Sequence, residues 1–511
     1  MFTGKGSPNA PTPIREWGTN SEGTDFLRNT ISAKIYGADN DNIIFNKMYK
    51  YQLYWKFYNN EHWAKNNDKL LSFNYARAIT DKVNNFMVND EGFELNLVDT
   101  YGKQVTKEHE MAYEGILNYN WGQNKKKTFI KKLLQMGGIT GDAYVFAYPD
   151  FTTGSIRYKI LDTRTTYPIF QNGDYTNIIG YKVVEILGLN QKQYVQKVYE
   201  YTRTYTRIYY VKTTAKDADK FEVETTENVM GIIPIIHFEN IPMADTYGGR
   251  SDIEDIVKIN KVYNEMAEDI KAIIDYYAQP TTVVIGGTVG DLKKSIGKVW
   301  SGLPQGAQVF NLTLGEDLNA SSNYLTTLKK AMHDLSGVPE EVLSKVQHIS
   351  NTSSAALKIM YHSLIQVADI KAVSYGDGLR ELNALTLVLY QAYFPEHPLM
   401  IELKNVISKE QLLTGEINLV NLAAYANRFA TDIIFKYNLP SDRMSMLQEI
   451  NIEMNLGIGS REEAMARLGK SNIPMILTQV EQDKEFAQKY ALKGVDQNNN
   501  PENQPKNKGN D

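Results

Sequence analysis

A long amphipathic helix is the clearest prediction from the spacing of apolar and polar positions. Between residues 251 and 278 apolar side chains recur every three or four positions, at Ile256, Tyr263, Met266, Ile270, Ile273 and Tyr277. This spacing places them on one face of a helix roughly 42 Å long. Ser251 and Glu254 have the spacing of a capping box, so the helix is predicted to begin at Ser251.

A second long helix is predicted for residues 354–394. Its apolar stripe begins at Leu357 and continues through Met360, Tyr361, Leu364 and Val367. If straight it would extend about 60 Å, and Gly376 and Gly378 are the expected place for a kink. Both helices also fit a self-contained bundle or an intramolecular coiled coil, since periodicity alone does not separate that arrangement from packing between subunits of a ring.

Strand patterns occupy the middle of the chain. Residues 26–136 are mostly helical in pattern, and Gly137 and Gly138 are expected to stop the last helix. Alternating segments from 143 to 238 then predict a hairpin-rich sheet. Short strands punctuated by glycine follow at 281–313, and helical periodicity dominates from 321 to 492. The fold class is therefore α+β, with a small β unit inserted between two helices.

Composition limits the possible functions. The chain has 511 residues, enough for three or four structural units, and a hydrophobic content of 42% that suits a folded core. Its net charge of −5 argues against binding nucleic acid through overall basicity, so any DNA contact must be local. There is no cysteine, which excludes disulfides and cysteine-based metal sites. Without a signal sequence or apolar span, the chain is expected to be soluble and made in a cytoplasm.

Catalytic signatures are incomplete. The helix that begins His109-Glu110 has Tyr113 where a zinc protease needs its second histidine. The segment around Gly297-Lys298 has Val299 at the Ser or Thr position of a P-loop. The seven histidines have no ligand-like spacing, and His237, within an apolar strand, is predicted to be packed and hydrogen-bonded. No enzyme activity, cofactor or metal is therefore expected.

Two patterns have alternative interpretations. An alternating strand could stack bases and neutralise phosphates, or could be an ordinary half-exposed hairpin. Its residues are Tyr199, Tyr201, Arg203, Tyr205, Arg207 and Tyr209. A basic cluster formed by Lys125–Lys127, Lys131 and Lys132 could contact nucleic acid or an acidic partner, or could be a solvated helix face.

The order of parts between residues 231 and 265 resembles the portal proteins of tailed bacteriophages. Gly231 and Pro234 lie in a buried apolar strand that continues through His237 to Asn240, a glycine-rich turn contains Gly248 and Gly249, and Ser251-Asp252-Ile253-Glu254 follows. The Tyr167-Pro168-Ile169 strand and the segment from 337 to 382 extend the similarity, although Ser353-Ser354-Ala355 has no glycine where the family commonly has Ser-Gly.

This resemblance implies a portal fold with a helical and β-sheet wing, long stem helices, a small β clip, a long kinked helix and a helical C-terminal crown. The tails at each end are rich in polar residues and are expected to be disordered. The implied domains are a tail at 1–25, wing 26–250, stem helix 251–278, clip 279–319, stem helix 320–336, tunnel loop 337–353, long kinked helix 354–394, wing return 395–440, crown 441–493 and tail 494–511.

The resemblance also implies a function. Such a protein would form a ring, usually of twelve subunits, at one capsid vertex of a virion assembled in the bacterial host cytoplasm. Its partners would be further copies of itself, the terminase large subunit, the major capsid and scaffold proteins, a head-tail adaptor and non-specifically bound double-stranded DNA.

The same resemblance suggests the site residues. In the tunnel loop they are Lys345, Gln347, His348 and Asn351, and on the stem helix they are Lys258, Lys261 and Lys271. These residues would contact phosphates weakly or pair between subunits. The alternatives are another oligomeric virion or scaffold protein without a channel, and an enzyme that uses scattered carboxylates.

Overall fold

The computed structural model divides into two compact units. The larger comprises residues 1–346 and 361–438, and the smaller comprises 347–360 and 439–511. The structure describes residues 42–61, 71–89, 92–100, 105–171, 174–188, 194–213, 218–244, 246–278, 282–286, 305–311, 318–343, 358–414, 429–438, 443–468 and 473–498. Both predicted terminal tails lie outside these ranges, except that the last helix includes residues 494–498 of the C-terminal one.

The described part of the larger unit begins with four helices and one strand. Their bounds are α1 Asn42–Tyr58, α2 Tyr75–Met87, β1 Phe93–Asp99, α3 Lys107–Gln123 and α4 Lys126–Thr140. The predicted helix stop at Gly137 and Gly138 is wrong, because α4 continues to Thr140 and ends at Gly141 in the left-handed conformation (φ 90°). The two glycines are needed for close packing instead. A Cβ atom added to Gly137 would lie 1.9 Å from the Tyr375 hydroxyl, which is too close for a side chain to fit.

Two antiparallel sheets follow, in the region where the sequence predicts strands. The strands are β2 Asp142–Asp150, β3 Ser155–Leu161, β4 Thr166–Gln171, β5 Asp174–Gly188, β6 Tyr194–Thr202, β7 Tyr205–Thr213, β8 Ala218–Glu227 and β9 Ile235–Glu239. One sheet has the order β3-β2-β9, and the other is a five-stranded meander from β4 to β8. A buried cluster that includes Met48 and Tyr51 of α1 with Val184, Val198 and Tyr209 packs α1 on the meander.

The mixed helix and sheet composition agrees with the predicted α+β class.

A segment with the order helix, strand, strand, helix comes next along the chain. Its elements are α5 Val257–Ala278, β10 Thr282–Ile285, β11 Gln308–Asn311 and α6 Leu318–Ser336. Strands β10 and β11 form an antiparallel pair, and α5 packs against α6. The capping box is not formed: residues 252–256 are in turns and α5 begins at Val257, while the Ser251 hydroxyl accepts from the Ile253 amide.

The larger unit ends with α7 Glu340–Leu343, α8 His362–Tyr393, α9 Pro398–Thr414 and β12 Phe429–Phe435. The helical assignment of α8 is continuous through Gly376 and Gly378, where the sequence predicts a kink. A Cβ on Gly378 would lie 2.5 Å from the buried Phe238 ring, so this glycine permits close packing. Strand β12 pairs with β1 along its whole length, a pairing that the helical pattern of residues 26–136 does not predict.

The smaller unit includes the helices α10 Arg443–Asn455, α11 Arg461–Arg467 and α12 Ile473–Asn498. Ser460 caps the first turn of α11, because its hydroxyl accepts a 3.1 Å hydrogen bond from the Glu463 amide. Arg467 pairs with both Glu449 and Glu453 of α10. Helix α12 extends five residues into the predicted disordered tail.

Candidate functional site

The three lysines predicted on the stem helix all lie on α5. Lys258 and Lys271 are exposed, and Lys261 is partly buried. Successive residues of a helix are about 100° apart, so Lys258 and Lys261 are neighbours, whereas Lys271 lies roughly 140° around the helix from Lys258. The three lysines therefore do not form one basic stripe.

Carboxylates on the same helix accompany two of these lysines. Lys261 Nζ lies 3.7 Å from Glu265, and Lys271 Nζ lies 3.7 Å from Glu268 and 3.4 Å from Asp275. These spacings of three and four residues are those of weak surface ion pairs. In total α5 carries three lysines and four carboxylates, so its cations are dispersed among anions.

The predicted tunnel-loop residues Lys345, Gln347, His348 and Asn351 lie outside the described residues. The structure does describe the turn that leads toward them from α6. Gly337 is in the left-handed conformation (φ 68°), and His333 Nδ1 donates a 2.8 Å hydrogen bond to the Val338 carbonyl. This contact fixes the direction of the chain where α6 ends.

A buried carboxylate, Asp142, anchors the segment that precedes α5. Lys47 Nζ of α1 is 2.8 Å from one carboxylate oxygen, and His237 Nε2 is 2.9 Å from the other. The Tyr51 hydroxyl donates a 2.5 Å hydrogen bond and the Gly249 amide a 2.9 Å one. We call these five residues the Asp142 cluster. It joins α1, β2, β9 and the turn before α5.

The charges around Asp142 determine its pKa. Burial alone would raise the pKa, but Lys47 and the hydrogen bond and charge of His237 outweigh burial and lower it to about 2. Asp142 is therefore ionised at neutral pH. His237 is stacked between the rings of Tyr144 and Tyr247, each 4.9 Å away, which confirms the prediction of a packed, hydrogen-bonded histidine.

A second buried ion pair connects α8 with the same segment. Lys371 Nζ lies 2.8 Å from Asp252, and the two side chains are 0% and 4% exposed. Asn240 Nδ2 donates to the other Asp252 oxygen at 2.7 Å, and the Tyr375 hydroxyl donates to Asn240 Oδ1 at 3.2 Å. We call these four residues the Asp252 cluster. The amide of Asp252 also donates to the Gly138 carbonyl, which fastens the segment to α4.

Two asparagines hold the first half of α5 against the chain that leads into α2. Asn260 Oδ1 accepts from the Ala76 amide at 3.2 Å, and its Nδ2 donates to the Phe73 carbonyl at 2.9 Å. Asn264 Oδ1 accepts from the Phe73 amide at 2.8 Å. Both side chains are buried. They supply hydrogen-bond partners to the backbone groups of Phe73 and Ala76, because a loop has no regular ladder to pair its own backbone groups.

The arrangement as a whole fixes the first half of α5 in place. Buried ion pairs and amides fix α5 at its base, while its lysines remain at the surface. Sequence reasoning missed Asp142, Asp252 and Lys371, although each is a charged residue within or beside an apolar pattern, which is a signal of a buried pair. It also missed Asn260 and Asn264. Asparagine is a poor helix former, so two of them four residues apart inside a predicted helix could have indicated a specific contact.

The described ranges lack two other features, a metal site and a membrane-spanning helix. They contain no group of three or more histidine or acidic side chains placed to hold a metal ion. Among the helices described, none combines the length and apolar character needed to cross a membrane.

Comparisons with known proteins identify one family. A family model described as "Phage portal protein, SPP1 Gp6-like" matches residues 32–488. Among solved structures, the chain is similar to one titled "Neck of empty GTA particle computed with C6 symmetry", with 12% sequence identity and a TM-score of 0.38. That match covers 80% of this chain and 94% of the other. Among curated proteins, none matches.

Proposed function

Because the chain belongs to the SPP1 Gp6-like family of phage portal proteins, we propose that twelve copies form a ring at one vertex of a phage capsid. The ring is the channel through which double-stranded DNA is packaged and ejected. It docks the terminase large subunit during packaging and the head-tail adaptor afterwards. The observation that carries this proposal is the family match over residues 32–488.

The charge distribution on α5 supports a conduit for DNA. A conduit has to guide a polyanion without holding it, because every firm phosphate contact adds affinity that is independent of sequence and slows sliding. Lys258, Lys261 and Lys271 are spread around a helix that also carries four carboxylates. In the ring these lysines make weak phosphate contacts or pair between subunits.

The buried contacts at the base of α5 support a mechanical role. The Asp142 cluster joins the preceding turn to α1, β2 and β9, and the Asp252 cluster joins it to α4 and α8. Force applied along α5 would therefore pass into several elements at once. A passive conduit needs this rigidity, and it needs no catalytic group of its own.

The other partners follow from the same proposal. The ring contacts the major capsid and scaffold proteins during assembly and remains a component of the virion. Family membership favours this portal role over the alternative of a virion or scaffold protein without a channel. We assign the motor activity to the terminase, so this chain is not an enzyme.

The tunnel loop provides a test. We propose that Lys345, Gln347, His348 and Asn351 contact DNA weakly inside the channel. Replacing both Lys345 and His348 with Ala should leave ring assembly intact and reduce the length of packaged DNA, or its retention after packaging. Both can be measured by extracting DNA from purified particles and sizing it on a gel.

A matched control is Lys409→Ala, which removes an exposed lysine of α9 that pairs with Glu108. This control should package DNA normally. Normal length and retention in the double variant as well would remove the functional support for the loop assignment, while the ring proposal would be tested separately by assembly.

A further inference from the structure

The exposed surface of α4 consists mainly of lysine. The structure describes the whole of this helix, and its exposed side chains are Lys127, Thr128, Lys131 and Lys132. The exposed residue Lys125 directly precedes the helix. We call the four lysines among these residues the lysine face. Lys127, Lys131 and Lys132 lie within about 140° of one another around the helix axis, so they point to the same side of the helix.

None of these four lysines has a partner within the part of the chain that the structure describes. They form no ion pair and no side-chain hydrogen bond there. Lys329, Lys409 and Lys436, by contrast, each pair with a glutamate. Because the chain as a whole has a net charge of −5, this unpaired group of cations is a local exception.

A carboxylate on α2 is linked to α4, but its charge is already balanced. Gln135 of α4 donates a 2.6 Å hydrogen bond to the Tyr58 hydroxyl, which donates at 2.6 Å to Asp81 of α2. Asp81 also lies 3.4 Å from Arg77. The link therefore leaves the positive charge of the lysine face in place.

The lysine face does not stabilise the helix that carries it. The first turn of α4 contains Lys126 and Lys127, no acidic residue and no side chain that caps the N-terminus. Because the N-terminal end of a helix carries a partial positive charge, cations there are unfavourable. Lys127 and Lys131 are four residues apart and also repel each other. Folding therefore does not explain this arrangement, and residues that conflict with local stability are expected at functional sites.

The composition of the face indicates the kind of partner. Protein interfaces are centred on aromatic or aliphatic side chains and are depleted in lysine, whereas the exposed side chains of α4 include none that is apolar. A helix that binds a membrane surface also needs an apolar side. Lysine with a hydroxyl side chain such as that of Thr128 is instead typical of contacts with the phosphates of DNA. The lysine face therefore fits a polyanion that carries phosphate groups.

The lysine face lies away from the base of α5. The Gly138 carbonyl, near the end of α4, accepts from the Asp252 amide in the segment that precedes α5. Lys127 precedes Gly138 by 11 residues, which is about 16 Å of helix. The lysine face and the lysines of α5 therefore belong to different surfaces of the chain.

We propose that the lysine face binds the phosphate backbone of double-stranded DNA, independently of sequence and outside the channel. This inference rests on the proposed function for the identity of the polyanion, since a portal ring lies beside the packaged genome. The site is additional, because the proposed channel contacts belong to α5 and the tunnel loop. Phosphates of one strand recur about every 3.4 Å along the duplex axis, and Lys127 and Lys131 are about 6 Å apart along α4, so they can contact the same strand.

Closed circular DNA distinguishes this surface from the channel, because a covalently closed duplex cannot be threaded through an assembled ring. Purified rings of the full chain should retain relaxed circular plasmid DNA on a nitrocellulose filter. Replacing Lys127, Lys131 and Lys132 with Gln should lower the affinity at least about tenfold at low salt. Each lost phosphate contact should also reduce the slope of log K against log salt by about 0.9, which gives roughly 2.7 for the three lysines.

The matched control replaces Lys329, Lys409 and Lys436 with Gln. It removes the same charge from lysines that already pair with glutamates, so the affinity should stay within about twofold of the original. A second variant combines Lys127→Arg, Lys131→Arg and Lys132→Arg, which keeps the positive charge and should bind circular DNA normally. Native mass spectrometry of each variant checks that the rings are intact.

Three outcomes would overturn the proposal. Unmodified rings that do not retain circular DNA would show that the lysine face does not bind it. Equal loss of affinity in the two glutamine variants would show that only net charge matters. Retention of poly-L-glutamate instead of circular DNA would identify an acidic protein as the partner.

The same experiment keeps this inference separate from the portal role. Intact rings in any of those three cases would leave the portal proposal standing. Circular DNA bound through the lysine face by a chain that forms no ring would contradict the portal proposal alone.

Discussion

At the scale of single residues, buried charges locate the base of α5. Asp142 is fully buried and ionised because a lysine, a histidine, a tyrosine and a backbone amide surround it. Such an anion is stable only with its partners in place, since an unpaired buried charge is costly. The cluster therefore makes the turn before α5 dependent on contacts with three other elements.

Replacing Asp142 with Asn should destabilise the larger unit by about 3 kcal/mol, because Lys47 and His237 would lose their anionic partner. Urea unfolding followed by tryptophan fluorescence measures this. Asp255→Asn, on the surface beside Arg250, is the matched control and should change stability by less than about 0.5 kcal/mol. Equal effects of the two substitutions would contradict the structural role given to Asp142.

The stability that Asp142 contributes should also depend on pH in the acid range. The pKa of Asp142 is lowered in the folded chain from 3.8 to about 2. As the pH falls, Asp142 therefore becomes protonated in the unfolded chain at a higher pH than in the folded chain. Its stabilising contribution is thus complete above about pH 4 and is lost as the pH falls toward 2. The stability difference between the original chain and Asp142→Asn should shrink across that window. A constant difference would show that Asp142 does not titrate as described.

At the scale of elements, α8 depends on close packing at one of its two central glycines. Gly378→Ala would place a methyl group 2.5 Å from the buried Phe238 ring, which should cost roughly 1–3 kcal/mol. At Gly376 the nearest atom to a new Cβ would be Ile433 Cβ at 3.9 Å, an ordinary contact. Gly376→Ala should therefore stabilise the helix by up to about 1 kcal/mol.

Thermal unfolding of the two alanine variants distinguishes close packing at Gly378 from a kink at both glycines. Opposite shifts in the unfolding temperature are expected from the packing described. A similar loss of stability in both variants would instead support the kink that the sequence predicts near these glycines.

The elements also show what the sequence could predict. Strong periodicity locates α5, α6 and most of α8, and alternation locates the sheets, because both patterns are local. The pairing of β1 with β12 joins residues more than 300 positions apart, so no local pattern could reveal it. The start of α5 was misplaced because Ser251 has the spacing of a cap, whereas its hydroxyl actually donates to the Gly138 and Ile139 carbonyls.

The candidate site was predicted less completely than the fold. The lysines of α5 could be placed on a helix, but periodicity does not determine what a helix face meets. Lys371 and Asp252 are separated by 119 residues, so their pairing required the tertiary structure. His237 was the exception, since a histidine inside an apolar strand needs a buried polar partner.

At the scale of the whole molecule, the proposed function requires an oligomer. A single α5–α6 pair cannot enclose DNA, so the proposed conduit requires several copies around an axis. The buried clusters hold each copy's α5 to its own larger unit, and we propose that the dispersed charge of α5 avoids firm binding of DNA. We therefore expect the chain to assemble into a ring with an open centre.

The most direct test is the assembled mass of the purified chain, measured by native mass spectrometry, with negative-stain images of the same sample. Twelve copies of a 58.1 kDa chain should give a particle of roughly 700 kDa with an open centre. A monomer or dimer that never forms rings, even at high concentration or with capsid and scaffold proteins present, would contradict the account.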